Sequence, residues 1–592
     1  MNGFLGGPEP ARTYQLHGEI HADGETLVLF GLGDLTQVVG RLHLLTPHFT
    51  QTPDGQGLQI ELRWPVVVQL AGEFGSAWRP GPRLQAWIYE QVQLRNAAPE
   101  LTVSVNDGAP PPRSYQVTGA RLIAAGFSAL VCDDPGTGKT LTTLLGLMQL
   151  RAQGALPLAG PMLVVCPASV VDSWVAAAQR WTPFSVAAWR GPNRRRLLEA
   201  RHDLLVTSYH LAARDADPAE PDRNTPLRRL APVALVLDEC HLIKNASSLR
   251  SKACRALGRR ATSVIPLSGT PITHHTGDLH PTLQAMDHVS WPSAERFVTR
   301  YLDAVPGDYA ENVLGINATR EPEFRMALHG QYRRLAKADV LTELPEKVYS
   351  TRTVTLPPAA RKAYDAMAHD MLAELDNGQE LKAFDVLTQL QRLLALACAS
   401  ADVSVSRGPD VDEVTGEEKE HVHIHLREPS WKVDGLMEVL DERPDKSVLV
   451  FAPSRQLVVL GGERAAKEGR RVGYVVGGQS AKERTAQVEA FQSGELDVLC
   501  ATTGAGGVGL TMTAASTVVF LQRPWSYVEA SQAEDRAHRI GSEIHDSIEI
   551  IDIVAEKTID QQVREVMFGK AAALGELFAD PRIVSSFLGG KA

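Results

Sequence analysis

The chain has 592 residues, with 60 Lys and Arg against 70 Asp and Glu and a formal charge of −10. Its length allows three or four domains with ample buried core, and its ordinary charged and apolar content gives no reason to expect a large disordered share. The acidic balance argues against a wholly basic, histone-like binder, although a local basic groove is enough to hold phosphates. The six cysteines are scattered without a Cys-x-x-Cys pair, as suits reduced thiols of a cytoplasmic protein. Residues 1–12 lack a basic region followed by an apolar stretch, so no signal peptide is expected. No run of about eighteen apolar residues predicts a membrane span.

Near the start, Thr26–Phe30, Leu58–Leu62 and Val66–Leu70 are short apolar runs between Gly, Pro and Asp, and predict strands. Leu84–Leu94 predicts a helix. Asn106 to Pro112, with three consecutive prolines, predicts a linker. Residues 1–111 therefore read as a small β-rich accessory module, and nothing in them identifies a ligand.

From Arg113 onward, buried-strand patterns alternate with amphipathic helices. The strands are Ala129–Cys132, Met162–Cys166, Leu204–Thr207, Ala234–Leu237 and Ser263–Leu267, with helices at Thr140–Leu150 and Val170–Arg180. The same rhythm returns at Val448–Phe451, Val472–Val476, Val498–Thr502, Val518–Leu521 and Ser547–Ile553. Such alternation predicts parallel sheets covered by helices, hence two α/β lobes, 112–345 and 346–592. Trp291–Lys347 reads as helical and then extended, Leu381–Ala399 as a helix, and Ala401–Pro429 as a polar loop or hairpin insertion.

Asp133-Asp134-Pro135-Gly136-Thr137-Gly138-Lys139-Thr140 follows a predicted strand and opens a predicted helix, the setting of a phosphate loop. Backbone N–H groups and the helix N-terminus would bind phosphates there. Lys139 would reach the β- and γ-phosphates, and the Thr140 hydroxyl would ligate Mg²⁺. Asp133 stands where such loops usually begin with glycine. Asp238 and Glu239 close an apolar strand and suit metal-assisted phosphoryl transfer, Asp238 holding Mg²⁺ and Glu239 polarising the attacking water. Far downstream, Gln532, Arg536 and Arg539 have spacings of four and three, which put them on one face of a predicted helix. Arginines so placed would meet the charge that develops on a transferred phosphoryl group.

Asp238-Glu239-Cys240-His241 resembles the Asp-Glu-x-His box of superfamily-two helicases, and the adjoining Ile243-Lys244-Asn245 is similar to the Swi/Snf family of DNA translocases. Other elements resemble that family's motifs in order. They are Leu163–Pro167 with Trp174, Val206–Tyr209, Leu267–Ile272, the Arg333-Arg334 segment through Glu343-Leu344-Pro345, Val448–Phe451, Thr503–Leu510 and Gln532–Gly541. Asp133 fits too, because the family commonly carries Asp there. The resemblance covers about residues 113–553.

The resemblance implies an α/β fold of two tandem RecA-like parallel-sheet lobes, with ATP and Mg²⁺ as cofactors and the nucleotide between the lobes. Tyr115 and Gln116 would contact adenine. Asp134, Pro135, Gly136, Thr137, Gly138, Lys139, Thr140 and Gln532 would complete the nucleotide site. His241, Ser268, Thr270, Gly507 and Gly509 would couple nucleotide state to the nucleic-acid grip, and Arg536 and Arg539 would act as arginine fingers. The implied track is DNA, duplex or forked, gripped through phosphates without sequence preference. DNA-bound proteins are possible partners, no membrane is expected, and the working form would be a monomer on DNA.

Rival readings are a strand-separating DNA or RNA helicase and a catalytically silent binding scaffold. His274, His275, Asp278 and His280, and the alternating His421, His423 and His425, are two loose candidates for metal binding; a lobe-one helix and a polar hairpin are the default readings. The lack of eukaryotic reader modules points towards a bacterial or phage source.

Overall fold

The computed structural model describes residues 15–564 except 33–34, 98, 127, 159, 222–224, 273–275, 306–311, 377–391, 412–417, 507–509 and 562–563. The chain divides into two compact units, Met1–Val340 and Leu341–Ala592.

The first unit begins with strands β1 (Gln15–Ile20), β2 (Thr26–Leu32), β3 (Thr50–Gln51), β4 (Leu58–Glu61) and β5 (Trp78–Pro80), in the order β3-β4-β2-β1-β5. Helices α1 (Leu35–Leu45), α2 (Trp64–Phe74) and α3 (Pro82–Asn96) hold more of this region than its short strands do, so it is mixed α+β rather than β-rich. Val66–Leu70 is not a strand but part of α2, which Pro65 enters in its first turn and Gly75, at φ +50°, ends. Trp64 to Leu70 are all buried, so the run shows no helical period in sequence. Packing overrides the strand preference of valine.

This N-terminal region shares its core with the rest of the first unit. Trp64 and Val68 lie in one apolar cluster with Leu163, Leu205, Leu235 and Phe324. A charged cluster joins them. Arg300 donates to Glu73 at 2.8 Å and to Glu323 at 2.7 Å, and Arg320 approaches the same two carboxylates at 3.1 and 3.0 Å. Burial pushes the Glu73 carboxyl up, but Arg300 and Arg41 outweigh it and hold the group below its ordinary value.

The remainder of the first unit is built on β6 (Leu130–Val131), β7 (Met162–Cys166), β8 (Val186–Ala188), β9 (Leu204–Ser208), β10 (Ala234–Asp238) and β11 (Ser263–Leu267). Next come an antiparallel pair, β12 (Leu302–Val305) and β13 (Asn312–Ile316), and then β14 (Tyr332–Arg333). The main sheet runs β14-β6-β11-β10-β7-β9-β8, with all neighbours parallel. β7, β9 and β11 are buried along their whole length, as strands covered on both faces should be. The short edge strands β8 and β14 carry too few residues to show a pattern in the sequence.

The second unit holds β15 (Glu346–Val354), the antiparallel hairpin β16 (Ser400–Val411) and β17 (Glu418–Arg427), then β18 (Val448–Ala452), β19 (Val472–Val475), β20 (Val498–Thr502), β21 (Thr517–Phe520) and β22 (Ser547–Ala555). Its all-parallel sheet runs β15-β22-β21-β18-β20-β19, with apolar clusters on both faces. Both parallel sheets are RecA-like, as the resemblance implies. The hairpin falls where a loop or hairpin was expected, and most of Leu381–Ala399 lies outside the described residues. Among the described residues, no helix is long and apolar enough to cross a membrane.

Candidate nucleotide-binding and hydrolysis site

Three loops leave the same ends of three adjacent parallel strands. The phosphate loop follows β6, Ser268-Gly269-Thr270 follows β11, and Asp238-Glu239 closes β10. Carboxyl ends of parallel strands are where α/β sheets bind ligands.

In the first loop, Gly136 and Gly138 adopt φ of +85° and +82°, which a side chain would strain. A Cβ on Gly138 would also run into the Gln116 side-chain amide. Lys139 and Thr140 then open helix α5 (Lys139–Ala152). The Lys139 ammonium donates to the carbonyls of Asp133 (2.7 Å) and Asp134 (3.3 Å). The Thr137 hydroxyl donates to Asp134 O at 2.8 Å. Pro135 lies under the next loop, where a Cβ on Gly269 would come within 2.6 Å of its ring.

Tyr115 and Gln116 are buried in helix α4 (Ser114–Ala124). Gln116 accepts from Arg113 N at 2.9 Å and donates to Thr137 O at 3.1 Å, so it braces the phosphate loop from below.

At the end of β10, Asp238 is held from two sides. Trp174, on helix α6 (Val171–Trp181), donates its indole N–H to Oδ2 at 2.7 Å, and the Tyr209 hydroxyl donates to the Asp238 carbonyl at 2.8 Å. Burial, then the adjacent Glu239, raises the Asp238 carboxyl to about 6, against the pull of Trp174 and Lys139. Glu239 has φ +54°, a left-handed conformation costly for a non-glycine residue. Its Oε2 lies 3.3 Å from His241 Nδ1, which lies 3.1 Å from Ser268 Oγ. Ser268 Oγ in turn accepts from Thr270 N at 3.1 Å. A polar chain therefore runs from Glu239 to the loop after β11.

The oxygens of Thr140 and Asp238 fit a hard divalent cation, and added positive charge would relieve the crowding of Asp238 by Glu239. Among the described residues no group of three or more His, Cys, Asp or Glu could hold a metal. His280 is buried against Phe297 and Asp278 sits in a buried turn. His274 and His275 lie outside the described residues, as do the side chains of His421 and His423.

The second unit corrects one expectation. The helix Tyr527–Glu534 ends before both arginines, and residues 535–541 form successive turns. The regular helix thus carries Gln532 but not Arg536 or Arg539, while i→i+3 and i→i+4 backbone bonds continue as far as His538. The last residues of the helix are engaged by ionic and hydroxyl partners. Glu534 accepts from Arg523 at 2.9 Å and from Tyr349 at 2.9 Å, and Lys347 donates to Glu534 at 3.2 Å and to Asp535 at 3.0 Å. Past that point Arg536 O accepts from Met512 N and Arg536 Nη1 donates to Leu510 O at 3.1 Å. Burial lowers the pKa of the Arg539 guanidinium, while Asp535 opposes that shift. Gly507 and Gly509 lie outside the described residues.

The roles of Trp174 and Tyr209 in holding Asp238, and the whole Lys347–Glu534–Arg523 network, have no counterpart in the sequence-based expectations. Only the oddity of Lys347 in an alternating strand signals that network in the sequence.

Comparison with known proteins identifies the family. Residues 84–401 match the SNF2-related domain and 431–541 the helicase conserved C-terminal domain. The fold is that of the helicase-like class, and the chain belongs to the SNF2-related family. The ISWI chromatin-remodeling complex ATPase CHR11 of Arabidopsis thaliana is 28% identical over 477 residues, covering 78% of this chain and 42% of that one. A Caenorhabditis elegans protein, the SWI/SNF-related matrix-associated actin-dependent regulator of chromatin subfamily A-like protein 1 homolog, is 27% identical over 453 residues, covering 76% and 59%. The chain thus spans about half the length of the curated relatives it matches. Among solved structures, the Sulfolobus solfataricus SWI2/SNF2 ATPase core in complex with dsDNA aligns with 81% of this chain and 95% of that one, at 21% identity and a TM-score of 0.34.

Proposed function

We propose that this chain is an ATP- and Mg²⁺-dependent motor of the Swi/Snf type that moves along double-stranded DNA. The observation that carries the reading is the convergence of the phosphate loop, Ser268–Thr270 and Asp238-Glu239 on three adjacent strand ends. Lys139 binds the β- and γ-phosphates and Gln116 keeps the loop braced, with Tyr115 beside it on the adenine side. Thr140 and Asp238 would hold Mg²⁺, which would neutralise charge on the phosphates. Glu239 orients the attacking water, and the His241–Ser268–Thr270 chain carries its state to the loop after β11. Arg536 and Arg539 are the residues proposed to supply positive charge to the transferred phosphoryl group.

Family membership and the relatives' names as chromatin-remodelling ATPases support DNA as the track. The deciding experiment compares ATPase stimulation by end-sealed duplex DNA with that by RNA of equal length. Sealed duplex should stimulate strongly and should do so for unrelated sequences, with binding that weakens steeply as salt rises. Stimulation by RNA alone would overturn the DNA assignment, and stimulation only by substrates with single-stranded ends would favour a strand-separating helicase. Absence of any nucleotide hydrolysis would leave a binding scaffold.

A further inference from the structure

We infer that Arg333 is a positioning residue for the phosphate loop: through Asp133 it ties the loop to the segment by which the chain leaves the first unit, so that the two respond together to nucleotide. The inference rests on the ATP-site reading and assigns a role to two residues that reading does not use.

The tie is built from backbone and side chains alike. β14 pairs with β6, and the ladder continues beyond both strands: Leu130 N donates to Gln331 O (2.8 Å), Cys132 N to Arg333 O (2.7 Å) and Asp134 N to Leu335 O (3.0 Å). The exit segment is thus hydrogen-bonded to the loop itself. Arg333 Nε then donates to Asp133 Oδ1 at 3.0 Å, with both side chains largely withdrawn from solvent. Asp134 Oδ2 accepts from Lys337 N at 2.9 Å, and Arg334 lies 3.9 Å from its other oxygen. Each of the two acids that open the loop is therefore engaged by residues 333–337.

A carboxylate as deep as Asp133 is costly without its partner, so the pair persists whenever the loop is in this conformation. Space is kept for it. A Cβ on Gly119 of α4 would come within 2.9 Å of Arg333 Nη1, so a glycine there leaves room for the guanidinium. The same Asp133 whose carboxylate meets Arg333 offers its carbonyl to the Lys139 ammonium at 2.7 Å. Phosphates that draw Lys139 away must therefore act on the residue that Arg333 holds. Beyond the tie, the chain runs through the short helix Lys337–Val340 and enters the second unit at Leu341.

The test is amide hydrogen exchange of the full chain with and without a slowly hydrolysed ATP analogue, alongside its dissociation constant. In the wild type the analogue should slow exchange both at 132–138 and at 331–337. In Asp133→Asn and Arg333→Met the loop should still slow while 331–337 should not. Affinity for the analogue should fall about tenfold, the scale of one lost charge-assisted hydrogen bond. Arg333→Lys should recover part of both effects. If Arg333→Met does not fold, the nearly isosteric Asp133→Asn carries the test. Wild-type affinity together with wild-type slowing at 331–337 in folded Asp133→Asn would overturn the inference. Lys139→Ala separates this failure from that of the site: if it binds the analogue as the wild type does, the ATP-site reading falls, whereas loss of binding in Lys139→Ala alone removes only the role of Arg333.

Discussion

The Lys347 ammonium lies 3.0 Å from the carboxylate of Asp535, the residue that precedes Arg536. Lys347 sits on β15 and also reaches Glu534, so one cation from the first strand of the second unit fixes the place where the arginine-bearing turn begins. Lys347→Met would leave two inward-facing carboxylates short of a partner and should destabilise the second unit by about 3–5 kcal/mol. Urea unfolding measures this. On the proposed role of Arg536 and Arg539, kcat in the folded fraction should fall more than ATP affinity, since that role acts on transition-state charge. An unchanged kcat would disconnect the network from the arginines.

Acid should act on the same network. Burial pushes the Glu534 carboxyl up, but Lys347 and Arg523 outweigh it and leave its folded pKa below the ordinary glutamate value. The stability Glu534 supplies is therefore complete above about pH 4.3 and is lost as pH falls through its lower folded pKa. Unfolding free energy measured from pH 7 down to 3 should decline on that limb. The decline should be shallower in Glu534→Gln, whose side chain does not titrate.

The hydrolysis site predicts a contrast between two substitutions. Lys139→Ala should abolish turnover by removing the phosphate contact, and Glu239→Gln should bind nucleotide but not hydrolyse it. A wild-type rate in Glu239→Gln would refute its assignment to the attacking water.

Trp174→Phe keeps the packing of α6 but removes the donor to Asp238. Loss of one buried, charge-assisted bond should cost about 1.5–3 kcal/mol in stability, and the ATPase should then need more Mg²⁺ for half-maximal rate. An unchanged Mg²⁺ requirement would mean that Trp174 supports the fold and not the carboxylate proposed to hold Mg²⁺.

Glu73 meets Arg300 and Arg320 within the first unit. Glu73→Gln should lower the thermal midpoint and should do so cooperatively for the whole unit. A separate early transition for residues 15–96 would show that they fold independently.

The sequence is most legible where geometry is local. β7, β9, β10, β11 and β20 fall within a residue of their expected limits, because a fully buried parallel strand is one unbroken apolar run. The phosphate loop and Asp238-Glu239 are legible because their chemistry fixes residue types in consecutive positions. The features that are not legible depend on distant partners. Val66–Leu70 is helical through burial on every side, and β14 is two residues long and exists because β6 offers it an edge. The Gln532–Arg539 spacing is helical in sequence, yet the regular helix ends at Glu534, whose carboxylate is engaged by Lys347 and Arg523.

The region matching the SNF2-related domain begins at residue 84, yet Trp64 donates to Met326 O at 2.8 Å and shares a core with β7 and β10. Kinship and packing thus draw different borders in this chain. An engineer who grafted the lobe by its family limits would open a hydrophobic wound on it and strand Arg300 without Glu73. Residues 15–83 carry part of the lobe's packing: substitutions should be tolerated where their side chains do not face the lobe, whereas changes at Glu73 should be tolerated only with matching changes at Arg300, Arg320 and Glu323.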